Sequence, residues 1–533
     1  MAKGASSELH KGCLLTHYNF HTKHREGKQA IRPTAKTIHY LSILMIKKIL
    51  FLIASITTLN AAPLSGGRPN IVFVLTDDQG MGDLSCTGNP YLQTPNIDSF
   101  YEKSARFTDF QVSPTCTPSR AALMSGRFPF EVGVSHTILG REQLALDVIT
   151  FPQALQGAGY KNGIFGKWHL GDNAEEYLPN ARGFDEVFIH GAGGLTQERF
   201  GDFIGNAKAK YFDNIILHNE KVVQTEGFCT DLFFDAALGW MKKQIDNKQP
   251  YFSYISLNAP HGPFYAHDAD KKRFLDIGMD EKSAARYGMI ENIDHNFGLL
   301  FNKLEEWGQL ENTLIIFMTD NGMSIASMKL NGKKVLPYNA NMKGRKGTTW
   351  EGGTRVPSFW FWKGKTEKGA DISALASGID FYKTFCDLAG ATIPESKLPP
   401  KGRSLLPLLS DAKAEWEDRT LFIHKGRWSN NKKGESKEEM KYVCAVRTQK
   451  WRFVNNKYLY DINNDLMQSN DLAAQNPELV AQLSASYEEW WDSVQPLLAI
   501  NEGKKTPAKG EYHLQKKHAK QLEEEGSLKS WKK

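Results

Sequence analysis

Ile71-Val-Phe-Val-Leu75, followed at once by Thr76-Asp77-Asp78-Gln79-Gly80, decides the fold of this chain. Five consecutive apolar residues, mostly β-branched or aromatic, read as a strand buried on both faces. Such strands belong to mostly parallel sheets covered by helices. The pattern returns at Leu314-Ile-Ile-Phe-Met318, which runs into Thr319-Asp320-Asn321-Gly322. A third apolar stretch, Tyr251–Leu257, ends in Asn258-Ala-Pro-His261. Between them, residues 231–246 and 282–307 carry apolar side chains at three- and four-residue steps, as amphipathic helices do. Phe151–Gly159 reads as a short helix closed by glycine. Strands alternating with helices predict an α/β fold with a large mixed, mostly parallel central sheet flanked by helices. In open sheets of this type ligands bind just past the carboxyl ends of the strands. Three of the strands deliver polar residues there, so the position of a site is predicted before its chemistry.

A chain of 533 residues is too long for one small core. Beyond about residue 395 the composition shifts, with Pro399-Pro400-Lys401-Gly402-Arg403, strand candidates at Tyr442–Arg447, Trp451–Val454 and Tyr458–Asp461, and a helix at Pro477–Asp492. A catalytic domain over 68–395 and a smaller C-terminal antiparallel sheet with its helix over 396–500 are predicted. Residues 501–533 are charged and poor in apolar side chains, which predicts a mobile tail. Near the other end, Met45-Ile-Lys-Lys48 precedes the apolar run Ile49–Ile56 and the small pair Ala61-Ala62. These read as a signal peptide over 45–62, too short for a stable membrane span, and so as an exported protein, periplasmic or extracellular. Residues 1–44 do not fit in front of such a signal, and translation is expected to start at Met45. The formal charge of +6 is concentrated in residues 1–48 and 501–533 and leaves the body mildly acidic, which argues against a nucleic-acid partner. The six cysteines show no C-x-x-C pattern and no scaffold spacing.

Asp77, Asp78, Asp320 and Asn321 would place three carboxylates and an amide oxygen at one sheet edge. They would repel one another unless a cation sat among them, and oxygen donors without His or Cys suit Ca²⁺ or Mg²⁺. Turn and helix-cap roles compete with this reading for either pair alone. The repeated T-D-[DN] ending of two buried strands favours the metal. Cys116 lies in Ser113-Pro-Thr-Cys-Thr-Pro-Ser-Arg120, ahead of the helix-like Ala-Ala-Leu-Met-Ser-Gly126. It is thereby placed near a helix N-terminus, where negative charge is favoured.

The run Cys116-Thr-Pro-Ser-Arg120 with the following Ala-Ala-Leu-Met-Ser-Gly resembles the signature of type I sulfatases. The resemblance extends over roughly residues 68–495. It includes Gly166-Lys-Trp-His-Leu-Gly171, Asn258-Ala-Pro-His261, Thr319-Asp-Asn-Gly322, Gly347-Thr-Thr-Trp-Glu-Gly-Gly353 with Arg355-Val-Pro357, and Leu459-Tyr-Asp-Ile462. It implies an alkaline-phosphatase-like fold and hydrolysis of sulfate esters, most naturally on sulfated carbohydrates. It also implies a maturation enzyme that oxidises Cys116 to formylglycine. On matching positions Asp77, Asp78, Asp320 and Asn321 become calcium ligands. The hydrated aldehyde at 116 then attacks sulfur, with Arg120 favouring its ionised form, and expels sulfate after losing a proton toward His169. Lys167, Lys346 and His261 become sulfate-binding cations, and either Lys346 or His261 protonates the leaving oxygen. Arg355 is expected to orient the glycine-rich segment. Arg345 stands where many relatives carry a smaller or neutral residue, and it either adds an anion contact or faces water. His136 and Arg141 are candidates for reading the alcohol part of the substrate. Competing functions are phosphoester hydrolysis on the same fold, a catalytically inactive sulfated-glycan binder, and a thiol hydrolase using Cys116 and His261.

Overall fold

The computed structural model describes residues 64–190, 211–429, 432–502 and 511–532. The leader, the signal peptide and Cys13 lie outside them. Four strands form the centre of an eleven-stranded sheet: β1 (Asn70–Thr76), β2 (Lys161–Gly166), β3 (Tyr251–Ser256) and β4 (Thr313–Thr319). They stand in the order β4-β1-β3-β2 and are parallel throughout. Antiparallel neighbours flank them, Ser358–Phe361 beside β4 on one side and Ile215–His218 beyond Glu186–His190 on the other. The sheet is mixed with a parallel centre, as the apolar runs predict.

β1 shows why its sequence is apolar at every position. Ile71, Phe73 and Leu75 enter the core on one face of the sheet, and Val72 and Val74 the core on the other. The first face is covered by helix α1 (Cys116–Ser125), Phe151–Gly157 and Asp380–Ala389. The second is covered by α2 (Cys229–Asp246) and α3 (Glu281–Glu306). With both faces covered, the site can open only at a strand end.

A four-stranded antiparallel sheet of Leu421–His424, Cys444–Arg447, Trp451–Val454 and Tyr458–Asp461 follows, with the helix Pro477–Leu498 packed on it. Phe422 stacks on Trp490 with ring centroids 5.1 Å apart. The edge strand Leu421–His424 was absent from the sequence reading. Leu405, Leu406, Leu408 and Leu409 still belong to the large core, so the small sheet starts well after residue 396.

The expected mobile tail is corrected. His513–Glu525 is a helix, and Lys529–Ser530 pairs in parallel with Lys221–Gln224 at the edge of the large sheet. Charge content concealed two anchors: Leu514 is buried in the large core, and Trp531 packs on Phe188 at a centroid distance of 4.9 Å. Among the described residues the cysteines form no disulfide, and no helix is long and apolar enough to cross a membrane.

Candidate active site

The four central strands end side by side, and each delivers site residues from its carboxyl end. Asp77 and Asp78 follow β1, Lys167 and His169 follow β2, Asn258–His261 follow β3, and Asp320 and Asn321 follow β4. Backbone bonds lock these ends together: Asp77 N–H donates to Ala259 O at 3.0 Å, Lys167 N–H to Ser256 O at 2.6 Å and Asp320 N–H to Thr76 O at 3.1 Å. Asp78 and His169 hold φ of +66° and +61°, conformations that cost energy in a non-glycine residue and cluster at functional sites. Gly322 is demanded sterically, because a Cβ there would lie 1.9 Å from Gly352 O. The strand-end loop and the glycine-rich segment can meet only through a residue without a side chain.

Cys116 is the first residue of α1 and is buried at 2% exposure. Its sulfur and one carboxylate oxygen each of Asp77 and Asp320 lie within 4.8 Å of one another. Arg120, one turn further along α1, is also fully buried. It donates from Nη2 and Nε to Asp320 Oδ2 at 2.8 and 3.1 Å, from Nη1 to Lys167 O at 3.2 Å, and to Ser256 Oγ. Arg120 thus fixes the ends of three strands relative to the helix that Cys116 opens. Ser256 escaped the sequence reading; a hydroxyl at the last position of a buried strand was its signal. The glycine-rich segment closes over the loop before Cys116, where Gly347 N–H donates to Pro114 O at 2.7 Å. It thereby brings Lys346 to Asp78, Nζ to Oδ1 2.6 Å. Arg355 ties the end of this segment to its surroundings, donating to Thr108 O at 2.7 Å and approaching Glu351 Oε2 at 3.4 Å.

The remaining oxygens identify what the cluster can hold. Asp77 gives Oδ2 to Lys167 Nζ at 2.5 Å, and its Oδ1 is buried without a hydrogen-bond partner. Asn321 donates Nδ2 to Asp78 Oδ1 at 2.9 Å, and its Oδ1 is likewise buried and unpartnered. Burial lifts the Asp77 and Asp320 carboxyls above their ordinary range, and repulsion adds to it, from Asp78 at Asp77 and from Asp77 at Asp320. At Asp78 burial is overridden by Lys346, His261 and Asn321, which hold the carboxyl below its ordinary range. Buried carboxylates with orphaned oxygens beside an amide oxygen are a donor set for a hard divalent cation. All four residues predicted as ligands are brought together. Burial opposes ionisation of the Cys116 thiol, yet Lys167 and Lys346 pull its pKa below the ordinary value.

His169 Nε2 lies 2.8 Å from the Thr137 carbonyl and therefore carries the proton. Its Nδ1, buried and unpartnered, is left as an acceptor. Burial and the nearby Lys167 push its pKa well below the ordinary histidine value, so the ring is neutral near pH 7. His261 donates Nδ1–H to Gly262 O at 2.6 Å, and its Nε2 stands 3.6 Å from Asp78 Oδ2. Its turn is held by Tyr211, a buried residue the sequence reading missed. The Tyr211 hydroxyl shares its proton between the carbonyls of Asn258, at 3.1 Å, and His261. His136 and Arg141 are corrected as substrate readers. His136 Nδ1 accepts from Thr137 and Ile138 N–H, and Arg141 donates to Trp428 O at 2.5 Å. Both are buried and pin their loop.

The buried cluster opens on one side only partly. Side-chain exposure is 19% for His261 and 14% for Lys346, against zero for Asp77, Lys167, Asp320 and Arg120. Those two residues and Asp78 line a cleft of about 1160 Å³ that continues past Phe264, Lys282 and Arg345.

Comparison with known proteins agrees with this geometry. The sulfatase family matches residues 69–391, and the C-terminal family of N-sulphoglucosamine sulphohydrolase matches residues 345–490. The chain is 29% identical over 521 residues to an uncharacterised sulfatase, YdeN, of Escherichia coli strain K12, covering 82% of this chain and 88% of that one. It is 30% identical over 473 residues to human arylsulfatase A, covering 80% and 83%. The crystal structure of Ps i-CgsB superposes with a TM-score of 0.69 at 30% identity, covering 81% of this chain and 96% of the other. Strand-end carboxylates, a cysteine opening a buried helix and this likeness along the chain lead to one conclusion: the protein belongs to the sulfatase family of sulfuric ester hydrolases, on the alkaline-phosphatase-like fold.

Proposed function

We propose that the sulfate esters this enzyme hydrolyses are those of carbohydrates, that Cys116 is converted to formylglycine, and that Asp77, Asp78, Asp320 and Asn321 hold a calcium ion. The observation that carries the reading is the pair of buried, unpartnered oxygens, Asp77 Oδ1 and Asn321 Oδ1, in a cluster that also holds Asp320 and Cys116. Charge counting supports it. The three carboxylates are matched by Arg120, Lys167 and Lys346 at 2.5 to 2.8 Å. A divalent cation therefore adds two positive charges to a balanced framework, enough for one sulfate monoanion and one ionised oxygen nucleophile.

A calcium ion held by Asp77, Asp78, Asp320 and Asn321 would supply Lewis-acid stabilisation of negative charge there. A formylglycine at residue 116 would supply, as its hydrate, two hydroxyls on one carbon, a nucleophile for sulfur and a second hydroxyl whose lost proton would let the C–O bond to sulfate break as the aldehyde returns. The chain's own residues do the rest. Lys167 and Lys346 bind sulfate oxygens, and Arg120 orients the site by holding Asp320. His169 accepts the proton of the second hydroxyl at Nδ1, the atom its tautomer leaves free. His261 and Lys346 stand where the site meets the cleft, so the alcohol leaves on their side and one of them returns its proton. Cys116 is buried in the folded chain, which supports a maturation enzyme acting before folding. Carbohydrate as substrate is supported by the size of the cleft and by Ps i-CgsB, which was crystallised with a k-i-k-neocarrahexaose. The relative named N-acetylgalactosamine-6-sulfatase, 31% identical in mouse, points the same way. Export follows the signal-peptide reading of residues 45–62.

The test is release of inorganic sulfate from a panel of defined sulfated saccharides, with metal analysis of the same protein. The expected result is turnover on at least one saccharide and close to one calcium per chain, with activity lost on stringent chelation and regained with Ca²⁺. Full turnover in metal-free protein contradicts the proposal.

A further inference from the structure

The cleft beside the reaction site holds more positive charge than cleavage of one sulfate needs. Lys346 is committed to Asp78 at 2.6 Å. Lys271 is committed to Asp268 at 2.8 Å and to Glu281 at 2.5 Å. Arg345 and Lys282 differ: neither has a carboxylate partner among the described residues. Among the described residues the side chain of Arg345 hydrogen-bonds to the Ser324 carbonyl, at 3.3 Å. Lys282 stands 5.9 Å over the ring of Phe264. The two cations come from separate elements, the segment ahead of Lys346 and the first turn of α3, yet they line one cleft with Phe264.

We infer that Arg345 and Lys282, with Phe264 as an apolar wall, form a second anion subsite. It selects saccharides whose neighbouring sugar carries a further negative group, a sulfate ester or a carboxylate. The argument rests on the proposed function, because the cleft is taken to hold the alcohol part of a sulfate ester. Two solvent-facing cations lining one cleft repel each other and have no counter-charge there, so an anion drawn into the cleft gains from both. Phe264 presents a face against which the apolar side of a sugar ring packs. Such a subsite acts on binding of the intact oligosaccharide and leaves the chemistry at residue 116 to the buried cluster.

The test compares kcat/KM of the mature enzyme on three disaccharides with the same cleavable sulfate, the neighbouring sugar being neutral, sulfated or a uronate. Wild type is expected to prefer at least one anionic partner over the neutral one by about tenfold or more, mostly through KM. Which anion is preferred separates sulfate from carboxylate. Arg345→Ala and Lys282→Ala should each shrink that preference several-fold, and Arg345→Lys should retain most of it. Loss of preference in Arg345→Ala alone, with Lys282→Ala unchanged, would mean that Arg345 only shapes the Lys346 segment, and it would overturn the subsite. Equal use of all three disaccharides by wild type overturns it as well, while leaving sulfatase action intact. Failure of wild type to release sulfate from any saccharide refutes the functional reading instead.

Discussion

Glu351→Gln is the substitution that most sharply tests how the small C-terminal sheet supports the site. Glu351 is fully buried in the glycine-rich segment that carries Lys346. Its Oε1 receives Arg452 Nη1 at 2.5 Å and Arg447 Nε at 3.2 Å, both from the small sheet. Its Oε2 receives Gln111 at 3.1 Å and Arg355 at 3.4 Å. Asp109 is the second carboxylate of the network, paired with Arg447. Glutamine keeps the shape and one acceptor but removes the charge, leaving two buried guanidiniums with one carboxylate. Breaking a buried ion pair costs about 3–5 kcal/mol, and retained shape places this change near the lower end, about 3 kcal/mol. With a urea slope of about 3 kcal/mol/M, the midpoint should fall by about 1 M. Tryptophan fluorescence reads the transition, and hydrogen exchange should rise first in Leu421–Asp461. Turnover should fall too, because Arg452 also holds Thr349 O, at 2.9 Å, in the Lys346 segment. The pH dependence follows from the native carboxyl. Burial opposes its ionisation, but Arg452, Arg447 and Arg355 override this and hold it far below its ordinary value of 4.5. A depressed carboxylate stabilises fully above the unfolded pKa and loses that contribution as pH falls toward the native one. The gap between wild type and Glu351→Gln should be complete above about pH 5.5 and shrink steadily below about 4.5. A midpoint unchanged within error at pH 7, or a gap that grows on acidification, would refute this account of the network.

Other changes test the reaction site. Cys116→Ser should lower turnover by several orders of magnitude and accumulate a covalent sulfate on the protein, visible by intact mass; near-native turnover is incompatible with the proposed chemistry. Replacing whichever of His261 and Lys346 serves as the acid should cost about 10²–10⁴ on a sugar sulfate and far less on 4-nitrophenyl sulfate, whose leaving group needs no proton. An equal loss on both substrates, in both variants, would remove proton delivery from their roles. Tyr211→Phe removes the hydroxyl donor from the His261 carbonyl, while Asn258 O keeps the His261 N–H at 3.0 Å, at a cost of about 1–3 kcal/mol. Loosening the His261 turn should lower kcat on sugar sulfates more than it raises KM; unaltered kinetics would show the turn to be rigid without it.

The sequence announced the centre of the molecule well, for a physical reason. A strand buried on both faces has no amphipathic alternation, and Ile71–Leu75 and Leu314–Met318 were legible as such, each extending by one residue at either end. The three carboxylates and one amide directly after them had no packing role to play, so Asp77, Asp78, Asp320 and Asn321 stood out. β2 was missed because Lys161, Asn162 and two glycines hide it. The buried network of Glu351, Arg447 and Arg452 was invisible for another reason: its partners lie about a hundred residues apart, and an arginine destined for burial looks like any surface arginine. Tyr211 and Ser256 likewise acquire meaning only from partners distant in sequence, the carbonyls of Asn258 and His261 for Tyr211 and Arg120 with the Lys167 carbonyl for Ser256. The tail misled because composition counts charges, whereas docking needed only Leu514, Trp531 and two residues of strand pairing.

The chemistry turns on what residue 116 becomes. Peptide mass spectrometry of protein made alongside a formylglycine-generating enzyme reads this directly, on the fragment spanning Ser113–Arg120, with sulfate release measured on the same preparation. An aldehyde in place of the thiol, in a fraction that scales with specific activity across preparations, is the predicted result. Full activity from protein whose residue 116 is wholly unmodified cysteine would contradict it.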